Sequence, residues 1–464
     1  MVFAALGGGS GKTTVSLGVT AALRCRDSRV VPFKKGPDFI DPGWLASAAG
    51  APCFNLDPYL MPQSVIAESF VRRSGNADVA VIEGNRGLYD GVNVDGAYST
   101  AELAKQLGAP VILIIDTTKM TRTVAAIVMG CQKFDPDVRM AGVVLNRVGS
   151  ARQEKLIRSA VEKYCGIPVV GAIPRLKDGG FTERHMGLTP ADEHPTMQAA
   201  IDSARKTAEE CIDMDAIMRI ASEVQPVCVD LPDVDLTDAA PVRDGEGLRI
   251  GVVRDTAFQF YYPENIMLLE ERGVQVVGVN ALSDKALPDI HALYIGGGFP
   301  ETHAPMLAEN ETFRLSLGDA AEGGLPIYAE CGGLMYLGRS ITVDGLRYPM
   351  AGVLPLDFAL SGKPKGHGYT DVAVDSDTPF FPAGTRLRGH EFHYSSVAPD
   401  CAGSLPTAFT LERGTGVWNR RDGVVYKNVL AAYTHLHALG SPEWVDGMIR
   451  AAGNNRNRCN PPNV

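Results

Sequence analysis

Cys331 stands in Ala-Glu-Cys-Gly-Gly-Leu-Met, directly after the short apolar run 325–329. A cysteine at a sharp strand-to-helix turn sits where the nucleophile of an elbow sits. The helix start is expected to favour thiolate, and Gly332 and Gly333 to let an acyl group approach. The glycine triplet 296–298 ends another apolar run and offers main-chain N–H donors to an oxyanion. The base such a thiol needs is supplied by Tyr433-Thr-His435-Leu-His437, after the apolar 429–432. These residue types describe thiol attack on a carbonyl carbon.

A second chemistry lies at the other end of the chain. Residues 5–14 read Ala-Leu-Gly-Gly-Gly-Ser-Gly-Lys-Thr-Thr, with an apolar run before them and a helical run, 15–23, after them. Glycines let main-chain N–H groups turn inward around a phosphate, and the helix start adds partial positive charge. Lys12 would reach the outer phosphates and the Thr13 hydroxyl would hold Mg²⁺. The strict pattern G-x-x-x-x-G-K-[ST] is not met, because Leu6 occupies its first position; strand–loop–helix context supports the reading instead. Lys34-Lys35-Gly-Pro-Asp38-Phe-Ile-Asp41-Pro follows the run 30–33, as a charged loop whose carboxylates could face a nucleotide-bound metal. The run 79–83 ends in Glu83, an acid placed as those that assist the metal in nucleotide hydrolysis. A Gly-rich loop with Arg86 and Asp90 comes next. Gly389-His390-Glu391-Phe-His393 has H-x-x-H spacing, which is not the helical zinc motif; it is expected as a substrate-facing or interdomain loop.

The elements that must carry these residues alternate. Continuous apolar runs at 2–6, 79–83, 111–116, 140–146 and 169–173 read as buried parallel strands. Helical segments fall at 101–107, 124–134 and 154–164, which predicts a parallel sheet covered on both faces, with functional loops at the strand C-termini. Residues 197–223 read as helical and close a first domain, 1–223. The stretch 224–247, rich in Asp and Pro, reads as a linker. A second alternating set, with strands at 249–254, 274–279, 292–295 and 325–329, forms a domain over 248–446. The polar 447–464 is expected to be a flexible tail.

Composition narrows the class. The chain has 464 residues, 45% hydrophobic and 21% charged, with a formal net charge of −10. That charge argues against nucleic acid or an anionic membrane as a general partner, and no apolar run reaches the roughly 18–20 residues that span a bilayer. The start reads as a strand and phosphate loop rather than a signal peptide. Nine cysteines lack any C-x-x-C pair, so a reducing cytoplasm is the expected compartment.

Taken together, these stretches resemble the cobyrinic acid a,c-diamide synthase family, from about residue 2 to about residue 444. The motifs are the phosphate loop, Lys35-Gly-Pro-Asp38-Phe-Ile-Asp41-Pro, Glu83-Gly-x-x-Gly-Leu-Tyr-Asp90-Gly, Gly-Gly-Phe-Pro-Glu301, Ala-Glu-Cys331-Gly-Gly-Leu-Met-Tyr-Leu, Gly-His-Glu-Phe-His393 and Tyr-Thr-His435-Leu-His. The resemblance implies an α/β chain in two parts. A P-loop domain with a dethiobiotin-synthetase-like parallel sheet would occupy 1–223, and a flavodoxin-like class I glutamine amidotransferase domain 248–446.

It also implies residue roles. Cys331 would be the glutaminase nucleophile, His435 its base, and Gly297 and Gly298 the oxyanion hole. Gly9, Ser10, Gly11, Lys12, Thr13 and Thr14 would hold ATP, with Asn146 at adenine. Thr13, Asp38 and Glu83 would hold Mg²⁺, and Lys35, Asp41, Arg86 and Asp90 would meet the acyl phosphate and substrate. Lys34, Lys35 and Arg86 are expected to receive a polyanionic tetrapyrrole; glutamine and that ring would be the partners, and a homodimer stays open. Asn85-Arg86 replaces the Val-Met frequent in the family and, with the double Lys34-Lys35, resembles amidases of siroheme-type rings, which leaves the metal of the ring open. The reaction implied is acyl-phosphate formation followed by ammonia transfer along an enclosed path. A reading of another class, a P-loop regulatory or partitioning ATPase, has no use for the cysteine elbow and the late histidine.

Overall fold

The computed structural model of the chain describes residues 1–176, 183–184, 187–194, 196–224 and 243–459. The chain divides into two compact units, Met1–Asp233 and Val234–Val464.

The first unit runs β1 (Val2–Ala5), α1 (Lys12–Cys25), β2 (Val30–Lys35), α2 (Ile40–Ala49), β3 (Phe54–Leu56), α3 (Gln63–Ser74), β4 (Val79–Glu83) and α4 (Thr100–Gln106). It continues with β5 (Val111–Asp116), α5 (Thr123–Phe134), β6 (Met140–Val148), α6 (Ala151–Cys165), β7 (Val169–Pro174), the short pair β8 (Glu183–Arg184) and β9 (Gly187–Leu188), α7 (Met197–Cys211) and α8 (Met214–Ser222). Seven strands form one parallel sheet in the order β3-β2-β4-β1-β5-β6-β7. β1 is buried along its whole length and β5 up to Ile115, as parallel strands covered by helices on both faces must be. Because β1 lies between β4 and β5, the loops after β1 and β4 emerge side by side. Gly84 N donates to Phe3 O at 2.9 Å and Leu88 N to Ala5 O at 2.7 Å, so the two loops are tied at their roots.

The second unit begins with β10 (Arg249–Val253), α9 (Pro263–Glu271), β11 (Gln275–Val279), β12 (Ala292–Ile295), α10 (Ala304–Glu309), α11 (Glu311–Glu322), β13 (Ile327–Glu330) and α12 (Gly332–Leu337). There follow β14 (Ser340–Val343), β15 (Leu346–Pro349), β16 (Asp357–Leu360), β17 (Gly366–Val374), β18 (Arg386–His393), β19 (Ser395–Val397), β20 (Thr407–Arg413), β21 (Arg421–Tyr426), β22 (Val429–Ala432), β23 (His435–Leu436) and α13 (Glu443–Cys459). The parallel part, β11-β10-β12-β13-β22, is extended by an antiparallel part, β21-β20-β17-β18-β23. This extension brings β18 and β23 back beside each other.

Two expectations need correction. Residues 447–459 are not a loose tail: they continue α13, which buries Trp444, Met448 and Ala452 against Tyr294 and Tyr328 of the core. The apolar stripe at i, i+4 and i+8 outweighs the Asn- and Arg-rich solvent face that made the segment read as frayed. Residues 460–464 lie outside the described residues, as do 225–242 of the expected linker. Its end, 243–247, is a turn tied to the second unit by Gly245 N donating to Arg272 O at 3.0 Å. The histidine-rich stretch is also no loop, since His390, Glu391 and His393 lie buried on β18.

Candidate active sites

In the first unit the phosphate loop is open. A side chain built on Gly7, Gly8 or Gly9 would meet nothing within 4 Å, and Gly9 and Gly11 have φ of +69° and +89°. The Lys12 ammonium donates to Gly7 O at 3.0 Å and to Arg86 O at 2.8 Å, so the loop after β4 helps hold it. Burial pushes the Lys12 ammonium below its ordinary value, with Lys34 adding to the effect. Thr13 Oγ1 donates to Glu83 Oε1 at 2.8 Å, and Ser16 Oγ donates to Glu83 Oε2 at 2.5 Å.

Lys34 is the centre of the acids. It lies on β2 rather than in a loop, is 2% exposed, and its ammonium bonds Asp41 at 2.5 Å and Glu83 at 2.8 Å, with Asp38 at 3.7 Å. Burial alone would lower it, but Asp41, Glu83 and Asp38 outweigh that and hold it well above the ordinary lysine value. Burial, with Asp41 adding, pushes Asp38 up; burial also pushes Glu83 up, against the pull of Lys34. Lys34 is therefore the internal counter-ion of the acid cluster and not a surface that receives a ring. Asp38 Oδ1 accepts from the N–H groups of Ile40 and Asp41 at 2.9 and 3.1 Å, which starts α2 where a charged loop was expected.

A threonine hydroxyl and carboxylates are the hard oxygen donors that Mg²⁺ takes, so Thr13 and Glu83 suit the ion chemically. Among the described residues no group of three or more His, Cys, Asp or Glu side chains is arranged to hold a metal; the acids converge on the Lys34 ammonium instead. The other expected residues divide. Lys35 is buried at the end of β2, Arg86 and Asp90 are exposed, and Asp90 Oδ2 accepts from Gly87 N at 2.9 Å. Asn146 Nδ2 donates to Ser10 O at 2.9 Å and Oδ1 accepts from Arg147 N at 2.9 Å, which leaves one N–H of the amide for a base. It braces the phosphate loop.

In the second unit Cys331 follows β13 with φ +47° and ψ −97°, the strained turn of a nucleophile elbow. Its N–H donates to Ala432 O at 2.7 Å, which ties the turn to the strand leading into His435. The glycines around it are there for close packing. A Cβ on Gly332 would lie 3.0 Å from Gly298 N, one on Gly333 2.5 Å from Ile295 O, and one on Gly297 2.5 Å from His435 Cε1. Gly298 has φ +157°, and its Cβ would strike Ala257 O at 2.1 Å. The turn thus presses the glycine triplet, the elbow and the histidine together. The expected bias toward thiolate is not met: burial, with Glu301 beside it, pushes the Cys331 thiol up.

Around His435 lie groups that sequence alone left without a role. Glu330 Oε2 is 3.3 Å from His435 Nδ1, and His390 stacks on the His435 ring at 4.9 Å between centroids. Glu391 accepts from Thr415 N and Gly416 N, and His393 Nδ1 meets Ser395 O at 2.8 Å; these two brace the strand.

Along nearly its whole length the chain is similar to the cobyrinate a,c-diamide synthase of Magnetococcus marinus, with 41% identity over 441 residues, 95% of this chain and 94% of that one. The chain belongs to the cobyrinate a,c-diamide synthase family. The family's enzymes from Archaeoglobus fulgidus, 41% identical over 95% of both chains, and Salmonella typhimurium, 39% identical over 97% of both, match along the same length. Within this family member, residues 1–185 match the CobQ/CobB/MinD/ParA nucleotide binding domain and 249–443 the CobB/CobQ-like glutamine amidotransferase domain. Each matched span falls inside one of the two units. No helix among the described residues is long and apolar enough to cross a membrane.

Some of the site was missed because its signal is faint. Ser16 is one helical turn past Lys12, a spacing at which an apolar helix face is the default expectation. Glu330 had a signal of the same kind as Glu83, an acid ending an apolar strand, but stood in the shadow of Cys331.

Proposed function

We propose that the chain amidates the a and c acetate carboxylates of cobyrinate, taking nitrogen from glutamine and energy from ATP. What supports the reading is the presence, in one member of this family, of a phosphate loop backed by Glu83 and a strained cysteine elbow backed by His435.

A free carboxylate does not accept ammonia, because its carbon is weakly electrophilic and oxide is a poor leaving group. Its oxygen attacks the γ-phosphorus of ATP, the bond to the ADP oxygen breaks, and an acyl phosphate results. Lys12 and the main-chain N–H groups of the loop balance the charge that develops. Mg²⁺ entering with the nucleotide would be held by Thr13 and Glu83, with Asp38 beside them, and would supply charge neutralisation on the phosphates. Ammonia then attacks the acyl carbon and phosphate leaves.

The ammonia comes from glutamine. His435 takes the Cys331 proton as sulfur attacks the amide carbon, Gly297 and Gly298 face the oxyanion, and His435 returns the proton to the leaving ammonia. Water then cleaves the thioester to glutamate. Arg86, with its exposed guanidinium, is assigned to a ring carboxylate.

The test compares nitrogen sources. Cys331→Ala, given cobyrinate and ATP, should form no diamide with glutamine and should form it with concentrated ammonium. Diamide formation from glutamine by this variant would sink the glutaminase assignment, and absence of any diamide from the unaltered protein would sink the substrate.

A further inference from the structure

A base that takes a proton from a buried thiol needs its other ring nitrogen held, so that one tautomer is presented and the imidazolium is stabilised. The acid that does this must be a third residue. Downstream of His435 the chain offers Leu436 and His437, and the acid nearest His437 is Glu264, whose Oε2 lies 3.6 Å from His437 Nε2. Glu264 therefore serves His437. Upstream, Glu330 ends β13 one residue before the nucleophile, is 1% exposed, and its Oε2 lies 3.3 Å from His435 Nδ1. Its place is fixed from two other strands: Tyr294 on β12 donates to Oε2 at 3.0 Å, and Leu436 N on β23 donates to Oε1 at 3.2 Å.

We propose that Glu330 is the positioning acid of the glutaminase site, holding His435 by Nδ1 so that Nε2 is the basic nitrogen. Nε2 faces the glycine triplet, lying 3.4 Å from where a Cβ on Gly297 would be. The nucleophile and the acid that orients its base are thus adjacent in sequence. The strand sends Glu330 toward β12 and β23, and Cys331 after it has a φ of +47°. His390, stacked on the His435 ring, is an imidazole and not a carboxylate. Burial, with His435 and His437 adding, holds His390 well below the ordinary histidine value, so the charge paired with His435 Nδ1 is that of Glu330.

The inference rests on the glutaminase reading of Cys331 and His435, and its test uses the full chain. Glu330→Gln keeps the shape and removes the charge. Its kcat for glutamine hydrolysis should fall roughly a hundredfold or more, with KM for glutamine within about threefold and ammonium-dependent diamide formation unchanged. A carboxylate beside an imidazole raises its pKa, so removing it should move the acid limb of the kcat/KM–pH profile down by about one pH unit. A drop in kcat with the limb unmoved would mean a brace only and would overturn the proposal, as would unchanged kinetics. If Glu330→Gln does not accumulate folded, Tyr294→Phe serves instead. It frees Oε2 of a competing donor and should move the limb up by a few tenths of a pH unit; an unmoved limb overturns the proposal. Glutamine hydrolysis surviving in Cys331→Ala would be the failure of the parent reading, not of this one.

Discussion

The ammonium of Lys12 and the main-chain carbonyl of Arg86 are joined at 2.8 Å across 74 residues of sequence. Arg86 has a φ of +51°, and its side chain is exposed. One residue thus serves two partners, main chain toward the phosphate loop and guanidinium toward solvent. Arg86→Met removes only the second. Its KM for the ring should rise roughly tenfold or more, as loss of a charge-assisted contact would give, with KM for ATP within about twofold. Steady-state kinetics on both substrates check this, and a rise confined to ATP would place the side chain on the nucleotide.

Gly11 carries φ +89°, and a Cβ there would lie 2.3 Å from Asn146 Nδ2. Gly11→Ala should both strain the turn and displace the side chain that braces Ser10 O. ATP affinity is expected to fall at least roughly tenfold, given about 1–3 kcal/mol for such strain, with glutamine hydrolysis by Cys331 retained. Titration with a nucleotide analogue measures it.

Lys12→Ala and Glu83→Gln should each abolish diamide formation with either nitrogen source. Glu83 loses its charge among Thr13, Ser16 and Lys34, and the buried Lys34 ammonium is left with two acids instead of three. Labelling of Cys331 by a glutamine-like electrophile should continue in both. Near-normal turnover with ammonium would remove these residues from the phosphate site.

Much of this was legible in the sequence, for identifiable reasons. The runs 79–83 and 111–116 are apolar up to the acid that ends each, so burial on both faces left one reading, and β4 and β5 have those bounds. The phosphate loop and the elbow were legible because each is a local turn whose glycines are demanded by geometry. What depends on distant partners was not. Whether Lys34 faces solvent or three acids is decided in part by Glu83 on β4, 49 residues away in sequence. Nothing in the sequence near Asn146 says that its amide meets Ser10 O. The antiparallel half of the second sheet was missed because its strands alternate weakly, and with it went the placing of His390 against His435.

The end of the chain is a test of packing rather than of chemistry. Met448 is fully buried in α13, in the core that also contains Trp444 and Tyr294. Met448→Ala should cost about 2–5 kcal/mol of the stability of this unit, from lost burial and the cavity left behind. Urea unfolding checks it, and a change within about 0.5 kcal/mol would return the segment to the flexible tail that its polar composition suggests.

Cys331 gives the last prediction, on pH. Its thiol is raised above the ordinary value of 9.0 by burial, with Glu301 adding. In the folded protein it therefore keeps its proton at pH values where the unfolded chain has lost it. The folded state then binds more protons, so stability must fall as pH rises above the ordinary value, and this loss continues until the folded thiol itself ionises. Below that range the contribution is constant. Two measurements follow. In the protein without glutamine, alkylation of Cys331 by iodoacetamide at pH 7 should be slower than that of the exposed Cys25 and Cys459, and should still be climbing at pH 9 because thiolate is the reactive form. The fall in unfolding free energy between pH 9 and 10 should be smaller in Cys331→Ala than in the unaltered protein, since one ionising group has been removed. Fast labelling at pH 7 together with an unchanged alkaline slope would mean that Cys331 rests as the thiolate, and that His435 holds the proton before glutamine arrives.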